Sequence, residues 1–397
     1  MNITTFTLHN IGPFADVTIK MPPPRDGGQF LALVGEGKTS ALRGAALAVA
    51  GPNVTAPCES YVRHTILRDG EHSADASAKI DGATYVTSLM LDHGHASPVQ
   101  RLGWFGGFYA AYGIDRVRND GRADGTLLEI DSRNGWRRIG SLFDETICVM
   151  RARDVLVEIQ RNKLLRHEWS GESGCRALRF GDAYAATCRA LSSVLDAAEV
   201  RMGMRNVEVD GVPLPRLGDG TNALAAWVAD LCGRWITREV MAGRTVSAAF
   251  PEEMEGVCII DGFDSHVHPS AQTELVERVR ATFPRMTFIV GVDSPLTLSS
   301  LRRDEAVVLQ RDENGTIGAH HSVSEPRLRT GSELLSRFFG VRDVFPSRYG
   351  KAWHRYGTIA GNPYRDDDEE AEMQAARSML DRAGLSPDFE PVPRVTQ

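Results

Sequence analysis

Short runs of apolar residues along the 397-residue chain predict buried strands. The clearest runs are residues 29–35 (QFLALVG), 256–263 (GVCIIDGF) and 286–293 (MTFIVGVD). Continuous apolar runs of this length are typical of parallel strands that are covered on both faces. Further short strands are predicted at 3–9, 15–20 and 83–91.

Apolar residues at helical spacing predict helices between these strands. A helix of small apolar residues is predicted at 38–51, and a block of longer helices at 153–169, 180–200 and 221–240. Strands that alternate with helices at both ends of a helical block indicate an α/β sheet with an inserted helical lobe, around 141–235. A helix is also predicted at 273–284, and a polar helical tail after Thr330 whose acidic run, 366–370, forms a solvated helix start.

The connection between the strand 29–35 and the first helix carries the sequence Gly-Lys-Thr. In a phosphate-binding loop, backbone N–H groups wrap the phosphates, the lysine reaches the outer phosphates and the next hydroxyl binds Mg²⁺. Lys38 and Thr39 stand at these two positions. Lysine is rare in this chain, so a lysine in this turn is less easily explained by chance.

The strand 256–263 carries Asp261 at the end of its apolar run. An aspartate in this position suits a metal-facing site, where it would hold Mg²⁺ together with the hydroxyl of Thr39. A plain strand-end aspartate is the structural alternative.

Taken in order, these segments resemble the SMC/RecF/OLD-like branch of ABC-type P-loop ATPases, which includes stand-alone bacterial ATPases found in anti-phage modules. NIGPF (10–14) resembles the opening turn of these heads, and residues 33–52 their Walker A strand, loop and helix. Residues 259–270 resemble the Walker B strand with Asp264 as the D-loop aspartate, and residues 288–296 the switch strand. The signature turn is matched by Leu217, Gly218, Asp219 and Gly220.

The resemblance implies an ATPase head at 1–330 and a helical C-terminal appendage at 331–397, too short for a complete nuclease domain. It implies ATP and Mg²⁺ as cofactors, a homodimer or a dimer with a paralogous head, and a separate effector or nuclease chain. We expect a cytoplasmic location and no membrane association. The nucleotide-binding residues implied are Gly35, Glu36, Gly37, Lys38, Thr39 and Ser40, with Thr39 and Asp261 on Mg²⁺.

The chain departs from the family pattern at four positions, which by the resemblance would surround one γ-phosphate. The Walker A loop lacks three residues, since only Glu36 separates Gly35 from Gly37. Gly262 stands where the family has a catalytic glutamate, and Asp293 where it has the switch histidine. Gly218 replaces the signature serine.

These departures predict impaired catalysis and weakened nucleotide binding. Loss of one acid–base or electrostatic group typically costs about 10²–10⁴ in rate. The shortened loop cannot curl around a β-phosphate, and we expect the Glu36 carboxylate to fold back toward the helix start or Lys38. The favoured hypothesis is therefore a degenerate ATPase head that acts as a regulatory or scaffold subunit.

Other interpretations remain open at this point. The chain is an active ATPase if Asp264, His266 or Glu36 compensates; alternatively, three residues were lost from an active loop, which explains the gap but not the other departures. A net charge of −7 disfavours a nucleic-acid-binding module. The arginines of the loop 115–140, including Arg116 and Arg138, are expected to be solvated, and Trp104, Phe105 and Phe108 to lie in the core. His266 and His268 are expected to be structural rather than metal ligands.

Overall fold

The computed structural model describes most of the chain. The described residues are 1–51, 66–92, 95–102, 105–114, 116, 138–145, 147, 149–164, 180, 182–313, 315–341 and 347–395. They form two compact units, Met1–Gly331 and Ser332–Gln397.

The described residues form fourteen strands and ten α-helices. The strands are β1 Ile3–Ile11, β2 Phe14–Lys20, β3 Gln29–Gly35, β4 Ser73–Ile80, β5 Ala83–Asp92, β6 His95–Leu102, β7 Phe108–Tyr112, β8 Val200–Met202, β9 Val207–Val209, β10 Val212–Pro213, β11 Gly256–Ile260, β12 Met286–Gly291, β13 Ala306–Arg311 and β14 Ile317–His321. The helices are α1 Lys38–Ala50, α2 Gly140–Phe143, α3 Ala152–Leu164, α4 Ala183–Leu195, α5 Asp219–Met241, α6 Pro269–Thr282, α7 Pro295–Leu298, α8 Gly331–Phe339, α9 Arg348–Ala360 and α10 Asp367–Arg382.

A six-stranded sheet forms the centre of the first unit, in the order β14-β13-β3-β12-β11-β7. Every neighbouring pair is parallel except β13 with β14. Strand β12 therefore lies between β3, which leads into the Gly-Lys-Thr turn, and β11, which leads to Asp261. The predicted α/β fold of the P-loop type with an inserted helical lobe is confirmed by this topology.

A second, antiparallel sheet has the order β2-β1-β4-β5-β6. The sequence predicts β1, β2 and β5, but it does not predict β4 or β6. Helix α1 contacts strands of both sheets. Its small residues Ala41, Ala45 and Ala48 are almost fully buried, which allows the two sheets to approach the helix closely.

The helical lobe contains α3, α4 and α5 together with the small sheet β10-β9-β8. Helix α5 contacts both α3 and α4. The helix predicted at 180–200 is shorter than expected, because Asp196 adopts a left-handed conformation (φ 57°) after Leu195 and ends it. Val200 then begins β8 rather than ending the helix.

Aromatic side chains connect the lobe to the central sheet. Trp227 of α5 is fully buried and lies about 6.5 Å, ring to ring, from Tyr112, Phe263 and Phe288. Phe108 of β7 meets Trp235 edge-on at 5.2 Å. These contacts fix the orientation of α5 on the strands that carry the candidate site.

A buried polar network reinforces the same contact. Asp230 of α5 accepts a hydrogen bond from the Tyr112 hydroxyl at 2.9 Å and pairs with Arg234 one turn away. Its other oxygen accepts from the Met150 backbone at 3.3 Å. Burial, followed by the negative charge of Asp230, raises the pKa of Tyr112 well above its ordinary value.

The second unit has its own small core, formed by residues of α9 and α10, among them Tyr356, Ile359, Met373 and Leu380. The acidic run begins α10 as predicted: Asp366 caps the helix and forms a reciprocal capping box with Glu369. Tyr356 donates a hydrogen bond to the Phe389 carbonyl at 3.0 Å, which holds the C-terminal segment on this core.

Among the described residues, no helix combines the length and the apolar character needed to cross a bilayer.

We predict that Asp230→Ala lowers the free energy of unfolding by about 3–5 kcal/mol, because it leaves Arg234 buried without its carboxylate. Urea denaturation measures the loss. Glu274→Ala is the matched control, since Glu274 forms an ion pair of the same i,i+4 spacing with Arg278 but is exposed. The control should cost less than about 1 kcal/mol; equal losses for the two variants would contradict the role given to the buried network.

Candidate functional site

The connection from β3 to α1 contains only two residues, Glu36 and Gly37. Gly35 and Gly37 both have positive φ, 96° and 79°, so the chain reverses within a single turn. The Glu36 backbone N–H donates to the Leu309 carbonyl of the neighbouring strand at 3.0 Å. Among the described residues no side chain caps α1, so its N-terminal N–H groups still offer a weak anion site.

Lys38 begins α1 and forms an ion pair with Asp293, which follows β12. Its ammonium also donates to the Val292 carbonyl at 3.3 Å. The lysine side chain is 15% exposed and the aspartate 58% exposed, so the pair lies at the mouth of the site. A carboxylate thus binds the group that would reach an outer phosphate in a working loop.

Thr39 and Asp261 retain the arrangement expected of a magnesium site. The Thr39 hydroxyl donates to Asp261 Oδ2 at 2.5 Å, and Asp261 Oδ1 accepts from the Gly262 backbone at 3.0 Å. Both residues provide the oxygen donors that Mg²⁺ prefers. The next residue, Ser40, lies against Gly12 in the turn between β1 and β2.

The prediction for the Glu36 side chain is wrong. Its carboxylate does not fold back onto the helix start or Lys38 but pairs with Arg311 at the end of β13, at 3.1 Å. Arg311 is available there because β13 is the parallel neighbour of β3 on the side away from β12. Asp293 takes the place on Lys38 instead.

Gly262, where the resembled family has a glutamate, adopts a conformation that disfavours any side chain. Its φ is 56°, and a Cβ there would lie 2.4 Å from Ser265 Oγ and 2.8 Å from Ile114 Cγ1. The backbone conformation and the close neighbours therefore both favour glycine at this position. Replacing Gly262 by glutamate would strain the turn.

Arg116 is a second correction, because it is buried rather than solvated, with 5% of its surface exposed. Its guanidinium donates to the carbonyls of Gly113, Asp261 and Gly262 and so ties the end of β7 to the end of β11. Burial lowers the pKa of Arg116 to about 10, which still leaves it charged at neutral pH. A lone arginine in a polar loop carries no local signal of this role.

Asp264 has a structural position between β11 and α7. Its carboxylate accepts from the backbone N–H groups of Asp293 and Ser294, at 3.1 and 2.9 Å, and from the Thr297 hydroxyl at 2.9 Å. Burial raises the pKa of Asp264 above its ordinary value. Both oxygens are occupied, so Asp264 is poorly placed to replace a missing catalytic glutamate.

The signature turn forms the start of α5. Gly218 is the extended N-cap, α5 begins at Asp219, and the Asn222 amide donates to the Gly218 carbonyl at 3.1 Å and to the Leu217 carbonyl at 3.0 Å. Gly220 lies close to the His266 carbonyl, where a Cβ would approach to 2.2 Å. The turn therefore packs on the D-loop segment of its own chain.

Other candidates from the sequence have structural positions. His268 accepts from the Ser270 backbone and caps α6, as expected of a structural histidine. Phe105 and Phe108 are buried in the core, and Arg138 lies over the Tyr109 ring at 5.4 Å. The side chain of Trp104 lies outside the described residues.

No family model matches the chain. Among curated proteins, it is 29% identical over 131 residues to Septu protein PtuA of Bacillus mycoides (strain KBAB4), which is 33% of this chain and 18% of the relative. It is 29% identical over 93 residues to the Retron Vc95 probable ATPase of Vibrio cholerae serotype O1 biovar El Tor, which is 23% of this chain and 17% of the relative. The matches thus span less than a fifth of each relative.

Among solved structures, the chain is similar to an SMC head bound to the C-winged helix domain of ScpA, with a TM-score of 0.49, 12% identity, and coverage of 82% of this chain and 98% of that one. It is also similar to a Pyrococcus furiosus SMC head with an extended coiled coil, with a TM-score of 0.46, 11% identity, and coverage of 86% and 99%. The predicted resemblance to SMC-like P-loop ATPases is confirmed. The short turn, Gly262 and Asp293 lie beside Lys38 and Asp261, and these departures from the resembled pattern are the features of the site that need explanation.

We predict that Gly262→Ala lowers the free energy of unfolding by at least about 1 kcal/mol more than Gly211→Ala. Both glycines have positive φ, but a Cβ at Gly211 would meet nothing within 4 Å, whereas at Gly262 it would meet Ser265 and Ile114. The difference between the free energies of unfolding of the two variants, measured by chemical denaturation, gives the cost of the steric contacts at Gly262. Equal losses would show that the Walker B turn has room for a side chain.

Proposed function

We propose that this chain is an SMC-like ATPase head whose ATP binding and hydrolysis are impaired, and that it acts as a dimerising regulatory or scaffold subunit. The observation that carries the proposal is the ion pair between Lys38 and Asp293. It satisfies the lysine with a carboxylate of the same chain, so a triphosphate must displace that carboxylate before it can use the lysine.

The phosphate cradle supports the proposal as well. Two residues between β3 and α1 provide too few N–H groups to surround a β-phosphate, and the Glu36 carboxylate beside them is turned toward Arg311. The oxygen atoms of Thr39 and Asp261 suit a magnesium ion. The short turn beside them does not suit the phosphates of a nucleotide.

Hydrolysis requires a group that orients or activates water, and Gly262 has none. Asp264, a candidate to compensate, uses both of its oxygens in hydrogen bonds with the segment 293–297. Little turnover is therefore expected even where nucleotide binds weakly.

The scaffold role rests on the hydrophobic frame, which is retained while the groups around the phosphate have changed. By analogy with paired heads of this kind, the partner would be a second copy or a paralogous head, and any nuclease or effector activity would belong to another chain. A role in anti-phage defence, in the cytoplasm, follows from the same analogy.

A second candidate function is an active ATPase that drives a partner chain. The hydrogen bond between Thr39 and Asp261 favours it, because this pair is arranged as in a working site. In this case binding of Mg-ATP would break the pair of Lys38 with Asp293.

We predict that Asp293→Asn strengthens binding of Mg-ATP about three- to tenfold, because it removes the anion that competes for Lys38. Calorimetric titration measures the dissociation constant of each protein. The unchanged chain should bind weakly or not at all, and Lys38→Ala should abolish the gain made by Asp293→Asn.

Glu252→Gln is the matched control, since it removes the same charge from an exposed position just before β11, at the opposite end of that strand from Asp261. It should leave the titration unchanged. Tight binding by the unchanged chain, with turnover that Lys38→Ala abolishes, would refute the proposal and establish the active ATPase.

A further inference from the structure

A cleft of about 300 Å³ lies at the base of the helical lobe, where the starts of helices α3 and α5 approach Arg116. Among the described residues, its lining includes three arginines, Arg116, Arg151 and Arg153, but only one carboxylate, Asp219. Neither Lys38 nor Asp293 lines it. An excess of positive charge in a concave surface favours anionic ligands.

Arg116 is the deepest of these arginines. It is 95% buried, since 5% of its surface is exposed, and its hydrogen bonds go to three backbone carbonyls rather than to a carboxylate. Its Nε–H has no acceptor among the described residues. The nearby carboxylates of Asp261 and Asp264 favour its charged form without hydrogen bonding to it.

The start of helix α3 adds to the positive potential. Arg151, Ala152 and Arg153 all line the cleft, and α3 runs for 13 residues from Ala152, so its positive end faces this region. Arg153 is held in place because its Nε–H donates to the Arg205 carbonyl at 2.8 Å. Asp154 pairs with it at 3.2 Å and offsets part of its charge.

We propose that this cleft binds a phosphate group, at a site separate from the Gly-Lys-Thr turn. The buried guanidinium of Arg116 provides a fixed positive charge at its base, and the exposed Arg151 and Arg153 provide donors at its rim. Arginine is suited to this task because its planar fork matches the oxygens of a phosphate. The small volume suits a phosphate monoester or a single backbone phosphate better than a whole nucleoside triphosphate.

The proposal is tested in a Lys38→Ala protein, so that the Gly-Lys-Thr turn contributes nothing. Binding of inorganic phosphate and AMP is measured by calorimetry, and binding of a short single-stranded oligonucleotide by fluorescence anisotropy. Replacing Arg151 and Arg153 by glutamine should weaken binding of the recognised probe about tenfold or more. Asp219→Asn should strengthen it, because it removes the one carboxylate among the described residues that line the cleft.

The double variant Arg189→Gln with Arg201→Gln is the matched control, since these arginines are exposed in the same lobe but are not among the residues that line the cleft. Binding of phosphate or AMP supports the proposal with a small molecule as ligand. Binding of the oligonucleotide alone, with a steep loss in salt, supports it with a nucleic-acid backbone as ligand. No binding of any probe, or equal losses in the two double variants, would overturn it.

Discussion

The strand order β3-β12-β11 is the constraint on which the candidate site depends. The three strands are parallel, so their carboxyl ends meet at one edge, and the residues that follow β12 must lie between those that follow β3 and β11. In a P-loop site this places a switch residue beside the phosphates. In this chain the same constraint places Asp293 beside Lys38, so the Asp293 carboxylate binds the lysine ammonium within the chain.

Hydrogen bonds hold the segments that follow β11 and β12 in place at this edge. Asp264 holds the backbone of Asp293, and Arg116 holds the carbonyls of Asp261 and Gly262, so the segments after β11 and β12 are fixed from both sides. Gly262 has taken a left-handed conformation that a side chain would strain. Replacing Gly262 by glutamate is therefore expected to strain this turn, because the backbone conformation there disfavours a side chain.

Strands β3, β11 and β12 and helices α1 and α5 could be predicted because their apolar runs and periodicities are strong and local. The pairing of Thr39 with Asp261 follows from the motif order. Strand β4 could not be predicted from the sequence, because its buried face consists mainly of alanines, whose apolar signal is weak. Arg116 and Asp230 were also beyond prediction, since polar residues are mostly exposed and their burial depends on partners distant in sequence.

The position of Glu36 shows the same limit. The charge balance of the turn suggests Lys38 as its partner, but β13 brings Arg311 within 3.1 Å from a position 275 residues away. Asp293 is likewise 255 residues from Lys38. Only the sheet order decides between these partners, and the sequence of the turn contains no information on it.

The most direct test of the account is a crystal structure of the chain grown with magnesium and a non-hydrolysable ATP analogue at millimolar concentration. The account predicts that Lys38 keeps its ion pair with Asp293 and that no triphosphate is wrapped by the turn between β3 and α1. A triphosphate bound there, with Lys38 on its outer phosphates and Asp293 displaced, would contradict it.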